Sequence, residues 1–413
     1  AHRAFPWESE ARGKAHVHVV IIGFGPTDVP AKFITDYDTD LEHPTCTRVA
    51  NINPYLVEGS DTVLTKLSVP LCAVPEIVFG SMPNDGGHLL LNQAEKAELL
   101  EIEPKAEKFL LPFVGAEEFI NGIERWCLWL AKATAAEIRA MSAVMRRIEA
   151  VKDHRLQSAR ATTRALAKQP TLFGENRQPA SNYLLIPGVS SETRNYIPIG
   201  FLRPNIIASN AVSVVPDATL YHFAILTSTM HMAWVKHVCG RLESRFRYSN
   251  QIVYNNFPWP TAVTPAQREQ LESAAKHILD LRVECGDGRH GYLPVRQKSA
   301  ACTLADLYDP LTMPAALAKA HAALDRAVDR CYRKEAFASD RQRVEYLFQL
   351  YEQITAPLAP VGKPKRGGRR KKAEDAVPAF PPLLAQQVPN ADQAAADAAH
   401  AYFLHEEPPP YRV

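Results

Sequence analysis

The sequence predicts an α+β chain, a mixed α/β domain followed by a helical bundle. Short β-branched runs broken by Pro, Gly and Asn recur up to Pro260, and helical stretches interleave with them. After Pro260 a heptad-like apolar rhythm takes over. With 413 residues the chain can hold two or three domains and a substantial core.

Taken in order, the opening AFPWESEARG at 4–13 is polar and turn-rich. HVHVVIIG at 16–23 reads as a buried strand, because β-branched side chains pack well on a pleated surface. From 45 to 92 the text is turn-like, with a short strand at 89–91. Helical signals begin at Glu95, and 117–126 has the pattern of an amphipathic helix with Phe119, Ile123 and Trp126 inward. A further helical stretch spans 135–169 and ends at Pro170. Strand character returns at 183–187, 196–200 and 206–209, and 220–237 reads as one buried helix carrying Phe223, Leu226 and Met230. Leu271, Ala274, Ile278 and Leu281, then Leu317, His321, Leu324, Val328 and Cys331, predict two or three packed helices through about Ile354. From Ala356 the text turns basic and Gly-rich, then Pro- and Ala-rich, so 356–413 is expected to be a disordered tail. Its basic run offers phosphates a weak, sequence-blind attraction or is simply solvated.

The formal net charge of +2 does not mark a nucleic-acid binder, so any such surface must come from local clustering. Seven dispersed Cys without a C-x-x-C predict reduced thiols and no zinc site. No apolar run has the length of a membrane span, and a cytoplasmic location is expected. The chain begins Ala-His-Arg and is expected to be the carboxy-terminal piece of something longer.

The most informative stretch is RLESRFRYS at 241–249, followed by IVYNNFPWP at 252–260. Glu243, Arg245 and Arg247 alternate, so in an extended segment all three leave one face. Glu accepts from the cytosine amino group and Arg donates two bonds to guanine, which is what reading one C·G pair in the major groove requires. A surface strand with an internal Glu–Arg pair gives the same text.

Between Arg146 and Arg177 basic residues outnumber acidic ones, and Arg155, Arg160, Arg164 and Lys168 are candidate phosphate contacts; the alternative is an ordinary solvated helix face. SSETR at 190–194, with Ser191 and Arg194 as candidate base readers, is equally a polar hairpin connection. Tyr254, Asn255, Asn256 and Trp259 are further candidates for base or sugar contacts, although Phe257, Pro258 and Trp259 fit better as packing. Asn53-Pro54-Tyr55 lacks the second Pro of the Asn-Pro-Pro-Tyr motif of amino-methyltransferases, and no Gly-rich cofactor loop precedes it, so it reads as a turn. His16 and His18 alternate without a third ligand, which favours strand packing over a metal site, and His231 reads as a helix-core residue.

GRLESRFRYSNQIVYNNFPWP resembles the end of the target-recognition domain of MmeI-like DNA methyltransferases, large restriction–modification enzymes of type IIL/IIG. NINPYLVEGSDTVL, FGSMPNDGGHLLL, IPGVSSETRNYIPIGFL and LADLYDPLTMPAALAKAH extend the likeness from about Phe5 to about Tyr351. The resemblance implies that 1–44 ends an S-adenosylmethionine-dependent methyltransferase domain, with 16–23 as its last sheet strand. It implies a DNA target-recognition domain at 45–260 and a helical C-terminal domain at 261–355, followed by the tail. It also implies that the parent methylates adenine N6 at a short site in double-stranded DNA, with the catalytic and cofactor motifs upstream of this chain and none within it. The position matching Glu243 would act with that matching Arg245 to select C, the position matching Arg247 would read a neighbouring pair, and the 190–194 loop would lie near DNA. Partners implied are double-stranded DNA and an upstream catalytic domain in cis. A free-standing specificity subunit acting with a separate catalytic chain, or a scaffolding protein of a restriction system, are the rival readings.

Overall fold

The computed structural model describes residues 1–7, 17–37, 42–285 and 302–356. It opens on a four-stranded sheet of β1 (His2–Trp7), β2 (Val17–Ile21), β3 (Lys32–Asp36) and β4 (Thr45–Val49), ordered β2-β1-β3-β4. The turn-like opening therefore contains a strand, and the strand expected to be buried at 16–23 is instead exposed at Val20 and Ile21. β1 runs antiparallel to β2, with Phe5 opposite Val19, and meets β3 only at His2. Beyond His2 its backbone has no ladder partner on that side, where Pro6 is tolerated.

Three further sheets follow, built from β5 (Val78–Phe79), β6 (Leu90–Leu91), β7 (Leu110–Val114), β8 (Trp126–Leu128), β9 (Tyr183–Pro187), β10 (Val189–Ser190), β11 (Gly200–Leu202), β12 (Ile207–Ala208), β13 (Val212–Pro216), β14 (Gly240–Leu242) and β15 (Arg245–Arg247). Their orders are β11-β9-β13-β5, β12-β7-β8-β6 and β10-β15-β14. Every residue of β9 is buried, which is why it reads as an unbroken apolar run.

The helices are α1 (Gln93–Ile102), α2 (Ala116–Asn121), α3 (Ala135–Arg139), α4 (Ser142–Gln157), α5 (Ala161–Leu166), α6 (Leu220–Leu226), α7 (Thr229–Val238), α8 (Pro265–Cys285), α9 (Leu304–Leu307), α10 (Ala315–Tyr332) and α11 (Asp340–Thr355). Three expected helices are corrected. The 117–126 helix stops at Gly122, whose φ of 67° suits a left-handed cap, and Trp126 enters β8 while Ile123 is exposed. The 135–169 helix is three, broken at Met141 and again at Ser158 to Arg160. The 220–237 helix is two, because Ser228 caps α7 by accepting from the His231 amide.

Among the described residues two apolar cores form. One runs from β9 and β13 through Phe223, Trp234 and Phe257 to Leu271, Leu324 and Phe348, so the central sheet and α8, α10 and α11 share one interior. The other is confined to Leu89, Leu110, Leu128, Val144, Ile148, Val151 and their neighbours. The heptad residues Leu271, Ile278, Leu317, Leu324 and Val328 all lie within the first core. The tail expected from 356 onward falls on 357–413, outside the described residues.

Candidate nucleic-acid interface

β14 and β15 form a tight hairpin in which Gly240 faces Arg247, Arg241 faces Phe246 and Leu242 faces Arg245. Glu243 and Ser244 are therefore the two turn residues, and Glu243 takes a φ of 55°. Such turns need positive φ, usually supplied by Gly or Asn. This corrects the simple alternation: Glu243 is not a strand residue. Its carboxylate nevertheless meets Arg245, whose Nη2 donates to Oε2 at 2.7 Å, with both side chains open to solvent (72% and 46%). Arg247 shares the face of Arg245, while Phe246 points the other way and is buried.

β15 also pairs with β10, Val189 opposite Arg247 and Ser190 opposite Phe246. The register brings the 191–194 segment out at the same end of the sheet as the Glu243–Ser244 turn. Two candidate elements some fifty residues apart in the chain are thus neighbours. Within the segment, the Thr193 amide donates to Ser191 Oγ at 3.3 Å and the Arg194 amide to the Ser191 carbonyl at 3.4 Å. Arg194 is half-buried, and burial draws its guanidinium down in pKa against the opposing field of Asp309.

The far end of that segment is anchored in the helical region. Tyr196 donates to Asp325 Oδ2 at 2.7 Å and stacks on His321, with ring centroids 4.1 Å apart. Asp325 Oδ1 also accepts from the Thr229 amide at 2.8 Å. Buried Arg282 donates to the Ile199 carbonyl at 2.7 Å and to the Tyr308 hydroxyl, which is bonded in turn to His321 Nε2 at 2.9 Å. Sequence reasoning missed this network. The available signal was a charge beside the apolar stripe, Arg282 after Leu281 and Asp325 after Leu324.

The basic segment divides. Arg155 is fully buried, and its guanidinium donates to the carbonyls of Pro83, Asn84, Leu166, Gln169 and Leu172. It cannot contact a phosphate from there, and the expectation for it is overturned. Arg160, Arg164 and Lys168 are exposed. They do not form one helical stripe: Arg160 precedes α5, Arg164 folds onto the Ser158 and Ala159 carbonyls at 2.8 Å, and Lys168 lies past the helix end.

The remaining candidates are structural. Asn53 is buried, its Oδ1 accepting from the Tyr55 and Val57 amides at 2.9 and 3.1 Å, and Tyr55 stacks on Phe348 of α11. Tyr254, Asn255, Asn256 and Trp259 are all buried, and the two Asn amides donate to the Leu67 and Thr65 carbonyls. His231 is buried and bonded to the Tyr248 hydroxyl at 3.0 Å, while His16 lies outside the described residues. Gly23 and Gly25 have open space where a Cβ would stand, flank the exposed Phe24 and lead into β3. No helix start follows to cradle phosphate or cofactor, so this pair does not fit S-adenosylmethionine.

Residues 58–261 match the family described as "MmeI, target recognition domain", and 263–359 match "MmeI, C-terminal domain". The chain is 39% identical over 355 residues to DNA methyltransferase A of Bacillus subtilis (strain 168), an overlap of 86% of this chain and 38% of that protein. It also resembles the solved structure of the Type IIL restriction-modification enzyme MmeI in complex with DNA, at 43% identity and a TM-score of 0.75, covering 86% of this chain and 45% of that one. The chain therefore spans less than half the length of either relative.

Proposed function

Since the chain belongs to the MmeI family, matching its target recognition and C-terminal domains, we propose that it is the DNA-reading portion of a site-specific adenine-N6 DNA methyltransferase of a restriction–modification system. The observation that carries this reading is the solvent-open Glu243–Arg245 pair at the tip of β10-β15-β14. A carboxylate accepts from cytosine N4 and a guanidinium donates to guanine O6 and N7, so the two held side by side complement one C·G pair. Arg247, on the same face, is the reader of a neighbouring pair, and Ser191 and Arg194 complete the edge offered to the groove. Arg160, Arg164 and Lys168 would contact phosphates, positioning the duplex without reading it.

In the parent enzyme S-adenosylmethionine supplies the methyl group, and it would be held by a methyltransferase domain acting in cis in the bacterial cytoplasm. Residues 1–44 would belong to the end of that domain, its sheet completed by β4 (Thr45–Val49). This chain's contribution is to choose the site, so that the adenine presented to the catalytic domain lies at a fixed distance from the pairs it reads.

Selection of bound duplexes from a library with a randomised core tests the reading. Glu243→Lys with Arg245→Asp exchanges acceptor and donor, and the expected result is a C preference turned to G at one position. An unaltered motif for the double variant refutes the assignment.

A further inference from the structure

The Glu243–Ser244 turn is held by Arg241, which does not share the face of Arg245, and by His18 of the N-terminal sheet. Arg241 pairs with Phe246 across the ladder, so its side chain belongs to the opposite face from Arg245 and Arg247. Its guanidinium lies 4.1 Å from the centre of the Phe246 ring and donates to the Ser244 carbonyl at 3.0 Å. A longer hydrogen bond, 3.5 Å, reaches the Lys236 carbonyl at the end of α7. Ser244 itself is only 8% exposed, and its Oγ shares a 2.8 Å hydrogen bond with His18 Nδ1. His18 is 226 residues away in the chain, on β2 of the N-terminal sheet.

This grip meets a specific mechanical need. Glu243 holds a left-handed φ of 55°, which side-chain-bearing residues adopt only when the surroundings impose it. Discrimination between bases further requires that donor and acceptor keep one relative geometry before DNA arrives. A ring-stacked guanidinium on one turn carbonyl and an imidazole on the turn hydroxyl impose that geometry from two directions. The geometry assigns Arg241 and His18 to positioning: they lock the Glu243–Ser244 turn so that Glu243 and Arg245 present one fixed acceptor–donor pattern. Through His18, the sheet that precedes the recognition domain becomes part of the reading apparatus. This inference rests on the proposed base-reading role of Glu243 and Arg245.

The test uses the whole chain in the duplex-library selection, with a salt titration of one selected duplex followed by fluorescence anisotropy. Arg241→Ala is expected to lower the preference at the position read by Glu243 and Arg245 by about tenfold. Preferences elsewhere should stay within about twofold, as for independent sites. The salt slope should not change, because Arg241 neutralises no phosphate. Arg241→Lys should not rescue, since an ammonium neither stacks as a plane nor forks. His18→Phe and Ser244→Ala, each removing one hydrogen bond, should produce a smaller loss at that same position. An unchanged motif for Arg241→Ala overturns the assignment. So does uniform weakening with a salt slope reduced by about one, which marks a phosphate-binding role instead. A loss spread over all positions in His18→Phe and Ser244→Ala, together with a lowered unfolding midpoint, would make the clamp merely structural and also overturns it. If Glu243→Lys with Arg245→Asp fails to move the motif, the base-reading assignment falls and the clamp falls with it. A successful swap beside a silent Arg241→Ala removes the clamp alone.

Discussion

Arg155 and Arg245 stand in equally basic text and finish in opposite environments. Arg155 is 0% exposed at the end of α4, whereas Arg245 keeps nearly half its side chain in solvent. The difference lies in the backbone around each. Around Arg155 five carbonyls, those of Pro83, Asn84, Leu166 at the end of α5, Gln169 and Leu172, converge on one guanidinium, which has five N–H donors to offer. At β15 the neighbouring strands on both sides take up the backbone of Phe246 and Arg247, Arg245 pairs with Leu242, and among the described residues its side chain meets the Glu243 carboxylate. Unsatisfied buried carbonyls pull a charge inward, and a saturated ladder leaves it outside.

The sharpest way to break this comparison is to remove Arg155. Arg155→Met deletes five hydrogen bonds and leaves their buried acceptors bare, so unfolding in urea should show a loss of about 3 kcal/mol or more. Arg155→Lys should recover little of it, because a point charge on a flexible stem cannot replace a planar fork. Arg160→Met, at an exposed position, should stay within about 0.5 kcal/mol of the parent chain. Equal stabilities for the two Met variants would end the distinction.

Acid should come next in effect, and it acts on histidines of α6 and α7. Burial pulls His231 down to about 3, and desolvation with the Arg268 field brings His222 to about 4. A folded state that keeps these rings neutral binds fewer protons than the unfolded chain. Stability is therefore fully present above the unfolded value of 6.5 and is lost as pH falls through it toward the folded values. Urea midpoints should drop on going from about pH 7 to about pH 5. Burial also holds His237 and His321 well below the ordinary histidine range, so replacing His231 with Gln should remove only part of that drop, and an equally steep profile in the variant would show that His231 contributes none of it.

A smaller and different effect is expected at the exposed basic residues. Neutralising Arg160, Arg164 and Lys168 together should weaken binding to all duplexes alike, the salt slope falling by about one for each phosphate left without its cation. The selected motif should not move. A changed motif would make these residues readers and erase the contrast with Arg245.

The two regions also differ in how far the sequence foretold them. β9 was legible because both of its faces are covered, and α10 because Leu317, Leu324 and Val328 keep one stripe in the core. β1 was concealed by Pro6 and the charges after it, and the break before α7 by Ser228, whose capping bond shows only in three dimensions. The Glu243–Arg245 pairing was legible in outline, since a two-residue turn joins the same side chains that an extended alternation would. What local text could not contain was the long-range register of Val189 with Arg247 or the reach of Asp325 to Tyr196. Arg155 misled because a count of charges carries no information about which carbonyls lack partners.

The smallest expected effect separates stability from reading at a single residue. Glu243 at φ 55° is strained, and Gly adopts that conformation without a clash, while its looser unfolded chain and the loss of an exposed ion pair work against it. These opposing contributions leave Glu243→Gly within about 1 kcal/mol of the parent, most simply on the stabilising side. The C preference at the position it reads should nevertheless disappear, because no acceptor faces the cytosine amino group. At Arg155, by contrast, no substitution should separate a functional loss from an unfolding loss. If Glu243→Gly were clearly destabilised in urea, the turn would owe its shape to the Glu243 side chain itself. A strained reader held in place by its surroundings would then be the wrong description of this hairpin.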